Sequence, residues 1–208
     1  MRRAFVIVGT DTGVGKTCFS AGLVGALGAH YWKPVQSGLE EETDSETVLR
    51  LSGVAPDYIL PEAWRLKLPA SPHISARAEG VEIDPETLVV PEVEGPLVIE
   101  TAGGVMAPLT DDVLTIEVLA RWRLPVILVA RTALGTINHS LLTIEALRRR
   151  DIPIHGVAFM GDEEKAPQET IIRKGGTRGL GRLPRLAPLD KETLRAAFDQ
   201  AFSRQDFA

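Results

Sequence analysis

Short apolar runs alternate along the chain with longer segments whose apolar residues recur at helical spacing. The short runs, rich in β-branched and aromatic residues, predict strands at residues 4–8, 30–32, 64–66, 96–100, 125–130, 154–159 and 179–186. The longer segments predict helices at residues 18–27, 45–52, 111–123, 140–150 and 191–202, with a further helix start at residue 72. Strands that alternate with helices predict an α/β fold in which helices cover both faces of a mostly parallel sheet.

Candidate capping residues mark several helix ends. Gly28 and Gly53 follow the first two predicted helices, where a C-terminal glycine is common. Asp44, Asn138 and Asp190 each precede a predicted helix, and all three are typical N-cap residues. Asp44 has a competing role as a Mg²⁺ ligand, and spacing alone does not decide between the two. Residues 160–168 are polar and predict a loop.

Composition limits the classes of protein that the chain can belong to. A length of 208 residues with 44% hydrophobic residues predicts a single domain over residues 1–208 with a full core. The net charge of −5, without a basic block, argues against a nucleic-acid surface. Cys18 is the single cysteine, which suits a reducing compartment. No apolar segment reaches membrane-spanning length, so we expect a cytoplasmic protein without membrane partners.

A glycine-rich segment at residues 9–17 joins the first predicted strand to the first predicted helix. Gly13 and Gly15 allow backbone N–H groups to approach the phosphates of a nucleotide, and Lys16 adds a positive charge. The Thr17 hydroxyl is a candidate ligand for Mg²⁺. This arrangement predicts a P-loop NTPase-like fold, and the alternative is a tight turn whose lysine is merely solvated.

The same segment departs from the usual phosphate-loop spacing. Thr10 stands where a glycine is expected, and Gly9 comes one residue earlier. Partition-type ATPases carry a second lysine five residues before the phosphate-loop lysine, and this chain has Asp11 there. A partition or positioning ATPase that binds DNA or membrane is therefore a rival hypothesis that the sequence disfavours.

Two charged residues lie at the carboxyl ends of predicted strands. Lys33 ends the second strand, and the carboxyl ends of parallel strands form the crevice where open α/β sheets bind ligands. Glu100 ends the apolar run at residues 96–100 and precedes two glycines, as a Walker-B-like acid that points at a metal would. Because a buried carboxylate is costly on its own, we expect a cation near Glu100.

Five blocks of sequence, taken together, resemble dethiobiotin synthetase. They are GTDTxxGKT at residues 9–17, KPVxSG at 33–38, SPH at 71–73, ExAGG at 100–104 and LGxINH at 134–139. The resemblance implies a homodimeric, cytoplasmic ligase of biotin biosynthesis that uses ATP as co-substrate and Mg²⁺ as cofactor. Such an enzyme carboxylates 7,8-diaminononanoate with CO₂ and closes the cyclic urea of dethiobiotin, with release of ADP and phosphate.

The resemblance also implies roles for individual residues. The implied catalytic residues are Lys33, Lys16 and Thr12. The implied Mg²⁺ ligands are Thr17, Asp44 and Glu100, which makes Asp44 a metal ligand as well as a helix start. The implied ATP-binding residues are Gly13, Val14, Gly15, Lys16, Thr17, Cys18, Asp44, Glu100, Thr101, Ala102, Gly103, Pro184, Arg185 and Leu186. The implied substrate-binding residues are Ser37 and, from the partner subunit, Gly135, Thr136 and Asn138.

The chain departs from the family pattern at three places. Thr101 follows the strand acid where a glycine is frequent, and Ala133 stands near the place of a lysine. Members of the family commonly have an asparagine that contacts adenine after the strand that corresponds to residues 154–159. No asparagine occurs at residues 158–162 of this chain, so the sequence does not decide which nucleotide the protein prefers. The corrinoid amidotransferases share a similar loop but also carry a glutaminase domain with a nucleophilic cysteine. A chain of 208 residues with only Cys18 leaves no room for that domain.

Overall fold

The computed structural model describes residues 3–207. Nine strands occur in this range: β1 (Ala4–Gly9), β2 (His30–Trp32), β3 (Val35–Ser37), β4 (Ile59–Leu60), β5 (Trp64–Leu66), β6 (Leu97–Gly104), β7 (Val126–Arg131), β8 (Ile154–Met160) and β9 (Gly179–Leu183). Seven strands form a central parallel sheet in the order β4, β2, β6, β1, β7, β8, β9. The other two, β3 and β5, pair in a small parallel sheet of their own.

Helices cover both faces of the central sheet, which confirms the predicted α/β fold. They are α1 (Lys16–Leu27), α2 (Asp44–Ser52), α3 (Pro72–Ala78), α4 (Thr115–Trp122), α5 (Thr136–Arg148), α6 (Lys165–Gly175) and α7 (Lys191–Ala201). One face packs against α1, α2 and α7, and the other against α4, α5 and α6. Within residues 3–207, no helix combines the length and the apolar character needed to cross a membrane.

The central strand β1 explains where the glycine-rich loop lies. Successive side chains of a strand point to opposite faces, so Phe5 and Ile7 pack under α1 whereas Val6 and Val8 pack under α4 and α5. All four side chains are buried. Because β1 pairs with β6 on one side and β7 on the other, the loop after Gly9 begins in the middle of the carboxyl edge of the sheet.

The prediction that Asp44 is an N-cap is wrong, because Asp44 is the first residue of α2 and Thr43 caps the helix. Thr43 Oγ1 accepts a hydrogen bond from the Glu46 N–H at 3.3 Å, and Glu46 Oε2 accepts one from the Thr43 N–H at 2.7 Å. This reciprocal pair is a capping box. Since Thr43 satisfies the helix end, the Asp44 carboxylate is available for contacts elsewhere.

The prediction that α4 begins at residue 111 is also wrong. The Thr110 hydroxyl accepts hydrogen bonds from the N–H groups of Asp112 and Val113 at 3.2 and 3.0 Å, which holds these residues in a turn. The helix begins only at Thr115. A threonine that bonds local backbone groups competes with helix formation in this way.

The start of α5 and the whole of α6 differ from the prediction as well. Gly135, with φ of 93°, is the N-cap of α5, so Asn138 lies in the first turn and the N-cap prediction for it is wrong. Helix α6 begins inside the segment predicted as a loop, and its only buried side chain is that of Ile171. Pro167 is compatible with this helix because it occupies the first turn, where backbone N–H groups have no helical partner.

Gly22 of α1 lies against Phe198 of α7, and we expect the substitution Gly22→Ala to destabilise the protein. A Cβ atom at Gly22 would lie 2.2 Å from the ring of Phe198, whose side chain is buried. Alanine improves helix propensity by about 1 kcal/mol, but overpacking a core costs about 1–3 kcal/mol. The free energy of unfolding, measured in urea, should therefore fall.

Phe198→Ala is the matched control, because it removes the ring that the new methyl group would meet. In this background, Gly22→Ala should be neutral or stabilising, since helix propensity then acts alone. An equal loss of stability in both backgrounds would show that the contact with Phe198 is not the cause.

Candidate functional site

A cavity of about 580 Å³ opens at the carboxyl edge of the central sheet, beside the loop that follows β1. It is lined by the loop after β1, by Lys33 after β2, by the end of β3, by the segment after β5 and by the second half of β6 with the loop that follows it, together with the first residues of α1, α2 and α3. The wall consists of residues 10–13, 15–17, 33, 37, 44, 69–72, 100, 102–104 and 107. The structure therefore brings the first four blocks that carry the family resemblance to one place.

The N-terminus of α1 presents backbone N–H groups to this cavity. Gly15, its N-cap, has φ of 99°, a left-handed conformation that glycine adopts without strain. The Phe19 N–H donates to the Gly15 carbonyl at 3.0 Å, as the first full helical hydrogen bond does. The N–H groups of Lys16, Thr17 and Cys18 precede this bond and have no partner within the helix. Such a helix end binds anions.

The Lys16 ammonium folds back over the loop. Lys16 Nζ donates to the Asp11 carbonyl at 3.0 Å, and the Asp11 carboxylate accepts from the Thr12 N–H at 2.7 Å. Burial lowers the pKa of Lys16, and the nearby Glu100 carboxylate only partly offsets this effect. A buried ammonium whose partner is a neutral carbonyl would gain from an anionic ligand.

Lys33 lies buried between two carboxylates that come from different elements. It is 3% exposed, and its Nζ lies 2.6 Å from Asp44 Oδ2 and 3.2 Å from Glu100 Oε1. Lys33 Nζ also donates to the Thr101 carbonyl at 3.4 Å. Thr17 Oγ1 completes the group, at 2.6 Å from Asp44 Oδ1 and 3.1 Å from Glu100 Oε1. The cation expected near Glu100 is thus the Lys33 ammonium.

The charges in this group stabilise one another. Burial alone would lower the pKa of Lys33, but the Glu100 and Asp44 carboxylates outweigh it and raise the pKa. Burial would raise the pKa of Asp44, but the charge and hydrogen bond of Lys33 outweigh it and lower the pKa. At neutral pH, Lys33 is therefore an ammonium and Asp44 a carboxylate.

The second oxygen of Glu100 has two buried partners. Glu100 itself is 0% exposed, and its Oε2 accepts hydrogen bonds from Ser20 Oγ at 2.7 Å and from Tyr31 OH at 3.1 Å. Burial, reinforced by the Glu100 charge, raises the pKa of Tyr31 well above its ordinary value, so the phenol keeps its proton. Both oxygens of this carboxylate are consequently hydrogen-bonded, as a buried charge requires.

Ser37 and Thr101 differ in their relation to the cavity. Ser37 faces it, and its buried hydroxyl has no hydrogen-bond partner among the described residues. An unpaired buried hydroxyl is costly, so this position suits a ligand that hydrogen-bonds. Thr101 turns away and donates to the Ile7 carbonyl at 3.3 Å, while Ala102 and Gly103 form part of the wall.

Two predicted phosphate-loop residues direct their side chains away from the cavity. Val14 is buried in the core, and Cys18 packs against the same core. Burial raises the pKa of the Cys18 thiol to about 11, which makes it a poor nucleophile at neutral pH. These two residues can reach a phosphate only through their backbone N–H groups.

Besides Val14, Cys18 and Thr101, six further predicted residues lie outside the cavity of their own chain. Three of them begin α5 or precede it: Gly135, Thr136 and Asn138, of which Gly135 and Asn138 are exposed. The other three follow β9: Pro184, Arg185 and Leu186, of which the first two are exposed. Neither group forms part of the cavity wall in the structure of one chain.

Tyr31, Ser20 and the wall residues 69–72 were not predicted as site residues. Tyr31 comes two residues before Lys33 on the same side of β2, and Ser20 comes one helical turn after Thr17 on α1. Those two spacings are the signals in the sequence that point to Tyr31 and Ser20. Ser71 and Pro72 belong to the SPH block at residues 71–73, which carries part of the family resemblance.

Solved structures with a similar fold include a ParA family ATPase and a cell division protein complex. The ParA family ATPase from Chlorobium tepidum TLS has a TM-score of 0.59 and 14% identity, over 99% of this chain and 96% of that one. The MinC:MinD cell division protein complex from Aquifex aeolicus gives a TM-score of 0.50 and 13% identity, over 94% and 86%. At such low identity the likeness concerns the fold alone.

Sequence comparisons are more specific. The AAA domain family matches residues 3–193. The ATP-dependent dethiobiotin synthetase BioD of Brucella anthropi is 60% identical over 97% of this chain and 95% of its own length. The proteins of the same name from Agrobacterium fabrum and Rhodopseudomonas palustris strain TIE-1 are 60% and 59% identical, each over 100% of this chain and 98% of its own length. The chain therefore belongs to the family of ATP-dependent dethiobiotin synthetases, within the AAA domain family.

Proposed function

We propose that the protein is an ATP-dependent dethiobiotin synthetase, a single ligase domain over residues 1–208. It would carboxylate 7,8-diaminononanoate with CO₂ and close the cyclic urea of dethiobiotin, with release of ADP and phosphate. The observation that carries this proposal is one cavity in which a phosphate loop, the buried Lys33 and the unpaired Ser37 hydroxyl meet. Relatives of that name, about 60% identical over nearly the whole chain, support the choice of substrate.

The loop before α1 would bind the phosphates of ATP. The backbone N–H groups of residues 13–18 would donate to phosphate oxygens, and Thr12 and Lys16 would contact the transferred phosphoryl group. Lys16 would exchange its hydrogen bond to the neutral Asp11 carbonyl for an ion pair with phosphate. That exchange gives the buried ammonium a better partner than it has without nucleotide.

The nucleotide base would extend beyond the cavity toward the segment after β9. Met160, at the end of β8, packs so closely on the phosphate loop that a Cβ at Gly15 would lie 3.0 Å from it. The Gly161 N–H donates to the Leu183 carbonyl at 2.9 Å, which joins the ends of β8 and β9. Pro184, Arg185 and Leu186 follow directly and are the proposed base contacts.

Thr17, Asp44 and Glu100 would hold the Mg²⁺ that accompanies ATP. The donor set fits this ion, since the Thr17 hydroxyl lies 2.6 Å from Asp44 Oδ1 and 3.1 Å from Glu100 Oε1, which brings oxygens of all three side chains to one place. In the described part of the chain, no group of three or more His, Cys, Asp or Glu side chains could hold a metal by itself, so phosphate and water would complete the shell. When bound, Mg²⁺ would supply charge neutralisation at the phosphate oxygens.

The substrate would supply its own nucleophiles, so no covalent enzyme intermediate is needed. One amine adds to CO₂ and loses a proton to form a carbamate, and ATP phosphorylates it to a carbamic-phosphoric anhydride. The second amine attacks the carbonyl carbon and expels phosphate, which closes the ring. Each step develops negative charge on oxygen, which the Lys33 ammonium would stabilise and the Ser37 hydroxyl would hydrogen-bond. The raised pKa of Lys33 suits a fixed cation and not a base.

The residues at the start of α5 would serve the active site of a second subunit. Gly135, Thr136 and Asn138 lie outside the cavity of their own chain, and the N–H groups of a helix N-terminus suit the carboxylate of the substrate. We therefore propose a cytoplasmic homodimer with composite sites. The net charge of −5 is in keeping with a protein that binds small molecules and no nucleic acid.

ADP release by the purified protein should require diaminononanoate and bicarbonate together. Neither alone completes a phosphate acceptor, because the acceptor is the carbamate formed from both. Coupled measurement of ADP and, by mass spectrometry, of dethiobiotin should give one ADP for each product molecule. ATP turnover that ignores the diamine and responds to DNA would contradict the proposal.

Lys33→Gln should reduce kcat by about 100-fold or more, because the loss of one charge-stabilising group in a preorganised site has this effect. The variant should remain folded and dimeric, as circular dichroism and light scattering would show. Lys67→Gln is the matched control, since Lys67 is exposed, lies two residues before the wall residue Pro69 and should keep full activity. Full activity of Lys33→Gln would mean that Lys33 has only a structural role.

Composite sites can be tested by subunit complementation. Asn138→Asp adds a negative charge near the proposed carboxylate site, while an acidic residue in the first turn of α5 is favourable for the helix. This variant and Lys33→Gln should each be inactive alone. After unfolding and refolding together, random dimers should recover about a quarter of wild-type activity, because half are mixed and each has one intact site. No recovery, with mixed dimers detected by mass spectrometry, would contradict composite sites.

A further inference from the structure

The two oxygens of Glu100 point to different environments. Oε1 faces the cavity and is bonded to Lys33 and Thr17. Oε2 faces the protein interior and is bonded to Ser20 and Tyr31, both of which are 0% exposed and absent from the cavity wall. Ser20 and Tyr31 therefore touch the carboxylate but cannot touch a ligand in the cavity.

The four bonds come from two elements, each of which serves both oxygens. On α1, Thr17 contacts Oε1 and Ser20, three residues later on the same face, contacts Oε2. At the end of β2, Lys33 contacts Oε1 and Tyr31, two residues earlier on the same side, contacts Oε2. Hydrogen bonds from α1 and from the end of β2 therefore fix the orientation of the Glu100 carboxylate plane.

An external constraint of this kind is needed because the last torsion of a glutamate side chain has no sharp preference of its own. Packing alone would allow the carboxylate to rotate and move Oε1 away from the cavity. Ser20 and Tyr31 donate through neutral hydroxyls, so they fix Oε2 without a second positive charge. The negative charge of Glu100 stays available on the cavity side.

We infer that Ser20 and Tyr31 are positioning residues for Glu100, which keep Oε1 directed toward Thr17 and a nucleotide-bound divalent cation. The inference rests on the proposed function, because it requires the metal site formed by Thr17, Asp44 and Glu100. Mg²⁺ demands near-ideal octahedral geometry, so a small error in the direction of one oxygen weakens binding. Outer partners of metal ligands commonly affect metal affinity by about 10–100-fold.

Tyr31→Phe tests this inference because it removes one O–H and keeps the ring that packs in the core. Binding of Mn²⁺ to the enzyme with a non-hydrolysable ATP analogue can be followed by electron paramagnetic resonance. We expect about tenfold weaker Mn²⁺ binding and an equal rise in the Mg²⁺ concentration for half-maximal turnover. The KM for diaminononanoate should stay unchanged, since neither hydroxyl reaches the cavity.

Ser20→Ala should weaken Mn²⁺ binding in the same direction, and the double variant should weaken it more than either alone. Because alanine is the best helix former, Ser20→Ala also gives a test if Tyr31→Phe fails to fold. The matched control is Tyr58→Phe, since Tyr58 stacks on His30 away from the cavity. This control should bind Mn²⁺ as the wild type does.

Two outcomes would overturn the inference, and they can be told apart. Unchanged Mn²⁺ binding by both single variants, with lower stability in urea, would assign the hydroxyls a purely structural role and leave the proposed function intact. Absence of nucleotide-dependent Mn²⁺ binding by the wild type would remove the metal site itself, and with it both the inference and that part of the proposed function.

Discussion

The buried ion pair between Lys33 and Glu100 is the constraint around which the site is built. Removing an ammonium and a carboxylate from water costs several kcal/mol per ion, and here hydrogen bonds offset that cost. Lys33 also bonds Asp44 and the Thr101 carbonyl, while both oxygens of Glu100 have two partners each. The register of the sheet brings the pair together. Trp32 lies opposite Ile99, and the residues that follow these two in the chain are Lys33 and Glu100.

The ion pair links the site to the core of the protein. Glu100 bonds to Thr17 and Ser20 near the start of α1, and the same part of that helix buries Phe19 and Leu23 in the core. The direction of the α1 N-terminus, and hence of its free N–H groups, is therefore fixed by hydrophobic packing and by the carboxylate together. A phosphate site on such an element is preorganised before a nucleotide arrives.

The parts of the site that follow one another in the chain could be predicted from sequence, because their chemistry depends on local spacing. The loop at residues 9–17 and the acid Glu100, which ends an apolar run within β6, are examples. The predicted N-cap of α2 and the predicted start of α4 were wrong because one side chain bonds nearby backbone N–H groups at each place. These side chains are Thr43, in the capping box of α2, and Thr110, in the turn before α4. The contact of Tyr31 with Glu100 could not be predicted, since 69 residues separate them and a tyrosine in an apolar run looks like any core residue.

The structural similarity to the ParA family ATPase shows that this fold alone does not determine which reaction a protein catalyses. The two share a fold at 14% identity, whereas function depends on the side chains placed at the strand ends. In this chain Asp11 replaces the second lysine of the partition ATPases, and its backbone carbonyl holds Lys16. Residues 69–72 and Ser37 line the space in front of the phosphate loop. The resulting 580 Å³ lies within the roughly 300–1,000 Å³ of small-molecule sites. The phosphate loop therefore faces a pocket large enough to hold a small phosphate acceptor.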